Sequence, residues 1–240
     1  MRPLLALTMI VTAAAQTTPV PQPSRSLNDI AALSRYAAEN VKLTPPAAGE
    51  SRVVFMGDSI TDFWGRRYGK FFPGKPYINR GISGQVTPQM LLRFRQDVIA
   101  LQPKVVVILA GTNDIGGSLG PIAGDATRAN LMSMVDLARA NHIAVVLASM
   151  TPVCDYLSPQ TAKRPMEKLK ELNDWIKDYA AGNQIVYLDY WSAMLDDQGV
   201  LRKELTWDGL HPNDAGYEVM GPLAEKAIAA ALQPGSSHRQ

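Results

Sequence analysis

Five short β-branched and aliphatic runs, separated by longer amphipathic stretches, predict an α/β fold on a parallel sheet covered on both faces. The runs are Val53–Met56, Tyr77–Asn79, Val105–Ala110, Ile143–Ala148 and Ile185–Leu188. Their near-continuous apolar character is what strands buried on both sides require, since alternation belongs to sheets with one wet face. The chain has 240 residues, 46% hydrophobic and 19% charged, which suits one globular domain with a substantial core.

The intervening stretches have helical ends. Thr87-Pro88 offers a cap and a first-turn proline for a helix running to about Leu101, and Ala123 to Asn141, Lys163 to Ala180 and Asn213 to Ala231 follow, with Gly182-Asn183 closing the stretch before the fifth strand. Upstream, Leu27, Ile30, Ala31 and Ser34 keep helical spacing to about Asn40, and Pro45-Pro46 ends that element.

The ends of the chain read differently. Met1-Arg2-Pro3, the apolar stretch Leu4 to Val11 and Ala13-Ala14-Ala15 make the charged, hydrophobic and small-residue regions of a signal peptide over residues 1–15, so a secreted or periplasmic protein is expected. That stretch is too short to span a membrane, and no integral membrane segment is expected after its cleavage. Residues 16–50 read as a Pro-rich linker followed by the N-terminal helix, 51–232 as the main domain, and 233–240 as a frayed polar tail. Lys and Arg number 24 against 22 Asp and Glu, a net charge of +2 without a basic block, so no nucleic-acid partner is expected. The single cysteine, Cys154, excludes an internal disulfide and a cysteine metal site.

In an open parallel sheet, ligands sit beyond the carboxyl ends of the strands. Four motifs follow strands in this chain: Gly57-Asp58-Ser59, Gly81 to Gly84, Gly111-Thr112-Asn113-Asp114, and Asp208-Gly209-Leu210-His211. A serine hydroxyl becomes a nucleophile only when an oriented base takes its proton. Of the three histidines, His142 lies at a helix-to-strand join and His238 in the tail, which leaves His211 as the base. Asp208, three residues earlier, can hold one imidazole nitrogen while the other faces Ser59. Ser83 sits in a Gly-x-Ser-x pattern, but Gln85 replaces the closing glycine of a nucleophile elbow, so Ser83 reads as a loop residue. Donors for a developing oxyanion are available at the Ser59 amide, the Gly84 amide and the Asn113 side chain. Gly84 equally permits a left-handed turn and Asn113 equally caps a loop, so neither alone decides a role.

Together the four segments resemble the SGNH hydrolases, also called GDSL esterases and lipases, from about Arg52 to Ala231. The resemblance rests on Gly57-Asp58-Ser59-Ile60, Asn79-Arg80-Gly81-Ile82-Ser83-Gly84, Gly111-Thr112-Asn113-Asp114 and Asp208-Gly209-Leu210-His211-Pro212. It implies a three-layer α/β/α sandwich with about five parallel strands in flavodoxin-like order. It also implies Ser59 as nucleophile, His211 as base, Asp208 as its partner, and Ser59, Gly84 and Asn113 as the oxyanion hole, with no metal or other cofactor. The first block is similar to that of acetylhydrolase-like bacterial members, which implies short acyl groups, acetyl esters of glycans or small molecules among them. Asp58 and Trp207 are the expected substrate contacts. Phe63, Trp64, Phe71 and Phe72 are read as core rather than pocket wall, and Cys154 as a packed residue. A lysophospholipase or thioesterase of the same family, a non-catalytic glycan- or lipid-binding domain, and a metal-dependent domain using Asp58, Asp62 and Asp114 stand as alternatives. Oligomeric state is not legible.

Overall fold

The computed structural model describes residues 29–233. The expected signal peptide, the Pro-rich stretch to Ser26 and nearly all of the tail lie outside the described residues.

In chain order the regular elements are α1 (Ala37–Asn40), β1 (Val53–Gly57), α2 (Ser59–Asp62), β2 (Tyr77–Gly81), α3 (Thr87–Asp97), β3 (Val105–Leu109), α4 (Thr112–Ile115), α5 (Gly124–Ala140), β4 (Ala144–Ala148), α6 (Met166–Gly182), β5 (Val186–Leu188), α7 (Trp191–Met194) and α8 (Asp214–Ala231). The five strands form one parallel sheet in the order β2-β1-β3-β4-β5. This is the expected flavodoxin-like order, with its switch point between β1 and β3.

Strand parity divides the core into two layers. Val54, Met56, Val106, Ile108, Val145 and Leu147 face α3, α5 and α6, joined by Phe94, Leu131, Met134, Leu169 and Ile176. Val53, Phe55, Val105, Val107, Leu109 and Val146 face the other way, against Ile60, Met194, Tyr217, Met220 and Ile228. Trp64, Phe71 and Phe72 pack around Phe55 with ring centroids 5.2–5.9 Å from it, so these aromatics are core, as their spacing suggested.

Several boundaries differ from the sequence expectation, each for a local reason. The helix expected up to Asn40 is broken because Ala32 takes a left-handed conformation, φ 55°; Asp29 then accepts from the Leu33 N–H and the Ser34 hydroxyl. Only a 3₁₀ turn, Leu33–Arg35, and α1 remain. Thr87 is the first residue of α3 rather than its cap; Val86 holds the cap position, and Gln89 Oε1 accepts from its N–H at 3.2 Å. The third long helix, α6, starts at Met166, because the proline at 165 keeps Arg164 out of helical geometry. The short helices α4 and α7 were not foreseen.

The described part of the N-terminal segment packs onto the sheet domain. Ala31 and Tyr36 are buried. The Ala31 carbonyl accepts from Gln85 Nε2 at 2.8 Å, and Tyr36 donates its hydroxyl to the Gly81 carbonyl. Gln85 in turn accepts from Arg93 Nε at 2.6 Å, and Arg93 also donates to the Gly57 carbonyl and to Asp97, at 3.1 and 3.2 Å. Arg93 and Asp97 are both fully buried.

Removing one member of a buried ion pair strands the other charge. Arg93→Ala is therefore expected to lower the unfolding free energy by roughly 3–5 kcal/mol, read from urea denaturation midpoints. A loss below about 1 kcal/mol, the scale of an exposed pair, would show that this arginine does not hold the end of β1 to α3.

Candidate active site

The chain reverses sharply after β1. Asp58 caps α2, its carboxylate accepting from the Ile60 N–H at 2.9 Å, and this places Ser59 on the first turn of α2 at the carboxyl edge of the sheet. The neighbouring β2 must come very close: a Cβ on Gly81 would lie 2.1 Å from the Asp62 nitrogen, so only glycine fits.

The partner of Ser59 arrives from 152 positions away. His211 Nε2 is 2.9 Å from Ser59 Oγ, and His211 Nδ1 is 2.7 Å from Asp208 Oδ2. The other Asp208 oxygen accepts from the N–H groups of His211 and Leu210 at 2.8 and 3.0 Å. Burial works against the Asp208 charge, but the bonds from the His211 ring and from these two N–H groups outweigh it and hold the carboxyl below its ordinary value. The loop is closed internally. Thr206 Oγ1 donates to the His211 carbonyl at 2.7 Å and accepts from the Gly209 N–H at 3.0 Å. Gly209 has φ 90° and packs so close to the Cys154 carbonyl that a Cβ would lie 2.3 Å from it.

Opposite lie the expected oxyanion donors. Gly84 is exposed in a left-handed conformation, φ 77°, and among the described residues neither its N–H nor that of Ser59 donates to a protein group. Asn113 is buried on α4. Its Nδ2 donates to the Gln85 carbonyl at 3.0 Å and reaches towards Asp58 Oδ2 at 3.4 Å. Its Oδ1 accepts from Ser118 Oγ and from Arg164 Nη2, both at 3.2 Å.

Other sequence-predicted residues have different duties. Asp58, expected against the substrate, is fully buried and caps α2 instead. Burial pushes its carboxyl up to about 6, against the N–H bond from Ile60 and the opposing influence of the nearby His211 and Arg164 side chains. Trp207 does lie at the site: its ring stacks on His211 with centroids 5.6 Å apart and 15° between planes. Phe63, read as core, is half-buried and lies 5.1 Å from His211 on centroids. Arg67 stands over the rings of Trp207, Phe63 and Tyr68 at 4.4–5.6 Å.

Ser83 donates from both its N–H and its hydroxyl to Asp62, at 3.2 and 2.6 Å, as a loop residue does. Asp114 accepts from the N–H and hydroxyl of Thr87 and from Thr127. Asp58, Asp62 and Asp114 are thus engaged separately, and among the described residues no group of three His, Cys, Asp or Glu could hold a metal. His142 precedes β4, at the opposite end of the sheet from Ser59, while Cys154 is buried. Sequence reasoning missed Arg164 and the site-facing side of Phe63.

A hydroxyl bonded to an oriented imidazole, beside free N–H donors, can form and stabilise a tetrahedral adduct at a carbonyl carbon. The model of the GDSL-like lipase/acylhydrolase family matches residues 55–219, which include every one of these groups. This chain belongs to that family. A GDSL-like lipase from Bacteroides thetaiotaomicron is 43% identical over 84% of this chain and 99% of its own, with a TM-score of 0.79. Acetylxylan esterase of Geobacillus stearothermophilus is 25% identical over 200 residues, covering 70% of this chain and 90% of that protein. Platelet-activating factor acetylhydrolase IB subunit alpha1 of Homo sapiens is 25% identical over 174 residues, 70% of this chain and 71% of its own. The chemistry open to a GDSL-family acylhydrolase is the hydrolytic removal of an acyl group. Among the described residues no helix is long and apolar enough to cross a membrane.

The Asp58 carboxyl gives a testable pH signature. Its folded value lies above the ordinary 3.8, so the fold bears no penalty while both folded and unfolded chains keep the proton. The penalty grows as pH rises from there through about 6, where the folded chain must ionise a buried group. The stability advantage of Asp58→Asn over the parent is expected to increase across that window by about 3 kcal/mol. Urea titrations at several pH values measure it, and a difference flat with pH would refute the shifted carboxyl.

Proposed function

We propose that this protein is a serine esterase, acting outside the cytoplasm, that removes short acyl groups, acetyl above all, from carbohydrate esters. The observation that carries the reading is the continuous relay from Ser59 Oγ through the His211 ring to Asp208. The acetyl preference takes its support from the acetylxylan esterase and acetylhydrolase relatives. A sugar as the alcohol takes its support from the acetylxylan esterase relative and from the aromatic rings of Phe63 and Trp207 that lie beside His211.

In the proposed cycle His211 Nε2 takes the Ser59 proton as Oγ bonds to the ester carbon. The carbonyl oxygen becomes an oxyanion facing the N–H groups of Ser59 and Gly84 and the Asn113 amide. When the adduct collapses, the carbon–alkoxy bond breaks and the leaving oxygen receives the proton from His211. Water then repeats the sequence on the acyl-Ser59 ester, releasing the acid and restoring the hydroxyl. Asp208, held below the ordinary carboxyl value, stays ionised throughout and fixes the ring with Nε2 towards Ser59.

Initial rates of the purified protein on p-nitrophenyl esters from acetate to long acyl chains test this reading. Turnover is expected to be greatest with acetate and to drop by at least about 10³-fold in Ser59→Ala. A long-chain optimum would replace it with a lipase or thioesterase reading, and no turnover at any length would leave a binding domain.

A further inference from the structure

Arg164 is a buried cation that the relay does not use. It is 8% exposed, its Nε is buried without a hydrogen-bond partner, and the carboxylates of Asp58 and Asp208 act on its charge from beyond ion-pair distance. Burying a guanidinium is costly unless its charge meets a need. Its shorter contact is to the candidate oxyanion residue: Nη2 donates to Asn113 Oδ1 at 3.2 Å, while Nη1 reaches Gln160 Oε1 at 3.4 Å. The seat is shaped for it. Gly116, at the end of α4, leaves a flat space where a Cβ would stand 3.0 Å from Cζ and Nη2.

Asn113 has four hydrogen-bonding positions, two on oxygen and two on nitrogen. The oxygen is taken by Ser118 and Arg164, and the nitrogen gives one bond to the Gln85 carbonyl at 3.0 Å. The fourth, a nitrogen-bound hydrogen, has only the distant Asp58 oxygen at 3.4 Å. Because a guanidinium has no acceptor, its bond to Oδ1 forbids the flipped amide, in which two sets of donors would face each other. A positive charge on the oxygen side also draws electron density through the amide and strengthens the remaining N–H as a donor.

We infer that Arg164 is a positioning residue for ester hydrolysis, locking the Asn113 amide with one N–H directed at the oxyanion and strengthening that bond as negative charge develops. This rests on the esterase reading above. The loop that carries Arg164 also grips the other half of the site, since Ser158 Oγ and Gln160 Nε2 donate to the Asp208 carbonyl at 2.5 and 3.2 Å. Gln160 thus links the arginine behind Asn113 to the aspartate behind His211.

The test is a double-mutant cycle on p-nitrophenyl acetate with Arg164→Gln, Arg164→Lys, Asn113→Ala and the two combinations, thermal unfolding being followed in parallel. Arg164→Gln is expected to lower kcat at least about tenfold with KM little changed, short of the roughly 10²–10³-fold cost of losing a whole oxyanion donor. Arg164→Lys, which keeps the charge but not the planar fork, falls between. In the Asn113→Ala background either change should alter kcat by less than about twofold, because the group it acts through is gone. Equal losses in both backgrounds would mean that Arg164 serves the fold alone and would overturn the proposal. If Arg164→Gln does not fold, the lysine variant gives the same comparison. An inactive parent protein would overturn the esterase reading together with this one, whereas an active parent with additive losses overturns only this one.

Discussion

A hydroxyl and an imidazole 152 residues apart lie 2.9 Å from each other, and most of the architecture around them serves that contact. Proton transfer tolerates little error in it, since a displacement of about 1 Å costs roughly 10²-fold in rate. Two long-range bonds fasten the element that follows His211 to the element that carries Ser59 and to the loop after it: Tyr217 donates to the Ile60 carbonyl at 2.7 Å, and Asp214 accepts from the Gly69 N–H at 2.6 Å. The first turns of α8 therefore act as a bracket against α2. The loop between α7 and α8 is held by its own bonds through Thr206 and by Asn213, which caps α8 at Gly216 and donates to two carbonyls upstream.

The other half of the site depends on buried polar groups, and these explain why the N-terminal segment is part of the domain. A loop that must present N–H groups to a ligand cannot also spend them on its own core. The Gly81–Gln85 loop is therefore held from behind, by Tyr36 on the Gly81 carbonyl, Asp62 on Ser83, and Ala31 and Arg93 on the Gln85 side chain. Asp114 does the same for the start of α3 by accepting from Thr87. Each bond holds the loop at a place other than the Gly84 N–H.

Apolar runs and glycine-bearing motifs made the sheet and the Ser59, Gly84, Asn113, Asp208 and His211 positions legible in the sequence. Both signals are local: a strand is written in consecutive residues, and each motif in four or five. What could not be read was long-range or too short. Arg164 bonds to a residue 51 positions away and carries no local pattern. Ala32 breaks a helix that its neighbours' spacing favours, because Asp29 satisfies the turn instead. Four-residue helices such as α4 and α7 give no periodicity to count. Phe63 and Trp64 are adjacent, yet one reaches His211 and the other the core beside Phe55; composition assigns both to the same class.

That division between Phe63 and Trp64 bears on how the imidazole works. A ring held only by a carboxylate through Nδ1 can still swing about that bond, so a second restraint must act on its faces. Trp207 stacks nearly parallel to it, Phe63 meets it at 48°, and Arg67 stands over both aromatic rings. The aromatic contacts shield the ring from water without offering it a competing acceptor, which leaves Asp208 and Ser59 Oγ as its hydrogen-bond partners among the described residues. Their quadrupoles also favour a positive charge nearby. In the proposed cycle the imidazolium formed at the tetrahedral stage is stabilised by Asp208 at its edge and by these rings. Under the proposed reading the same rings would bound the approach of the alcohol portion of a substrate, so one set of side chains would both hold the base and select what reaches it.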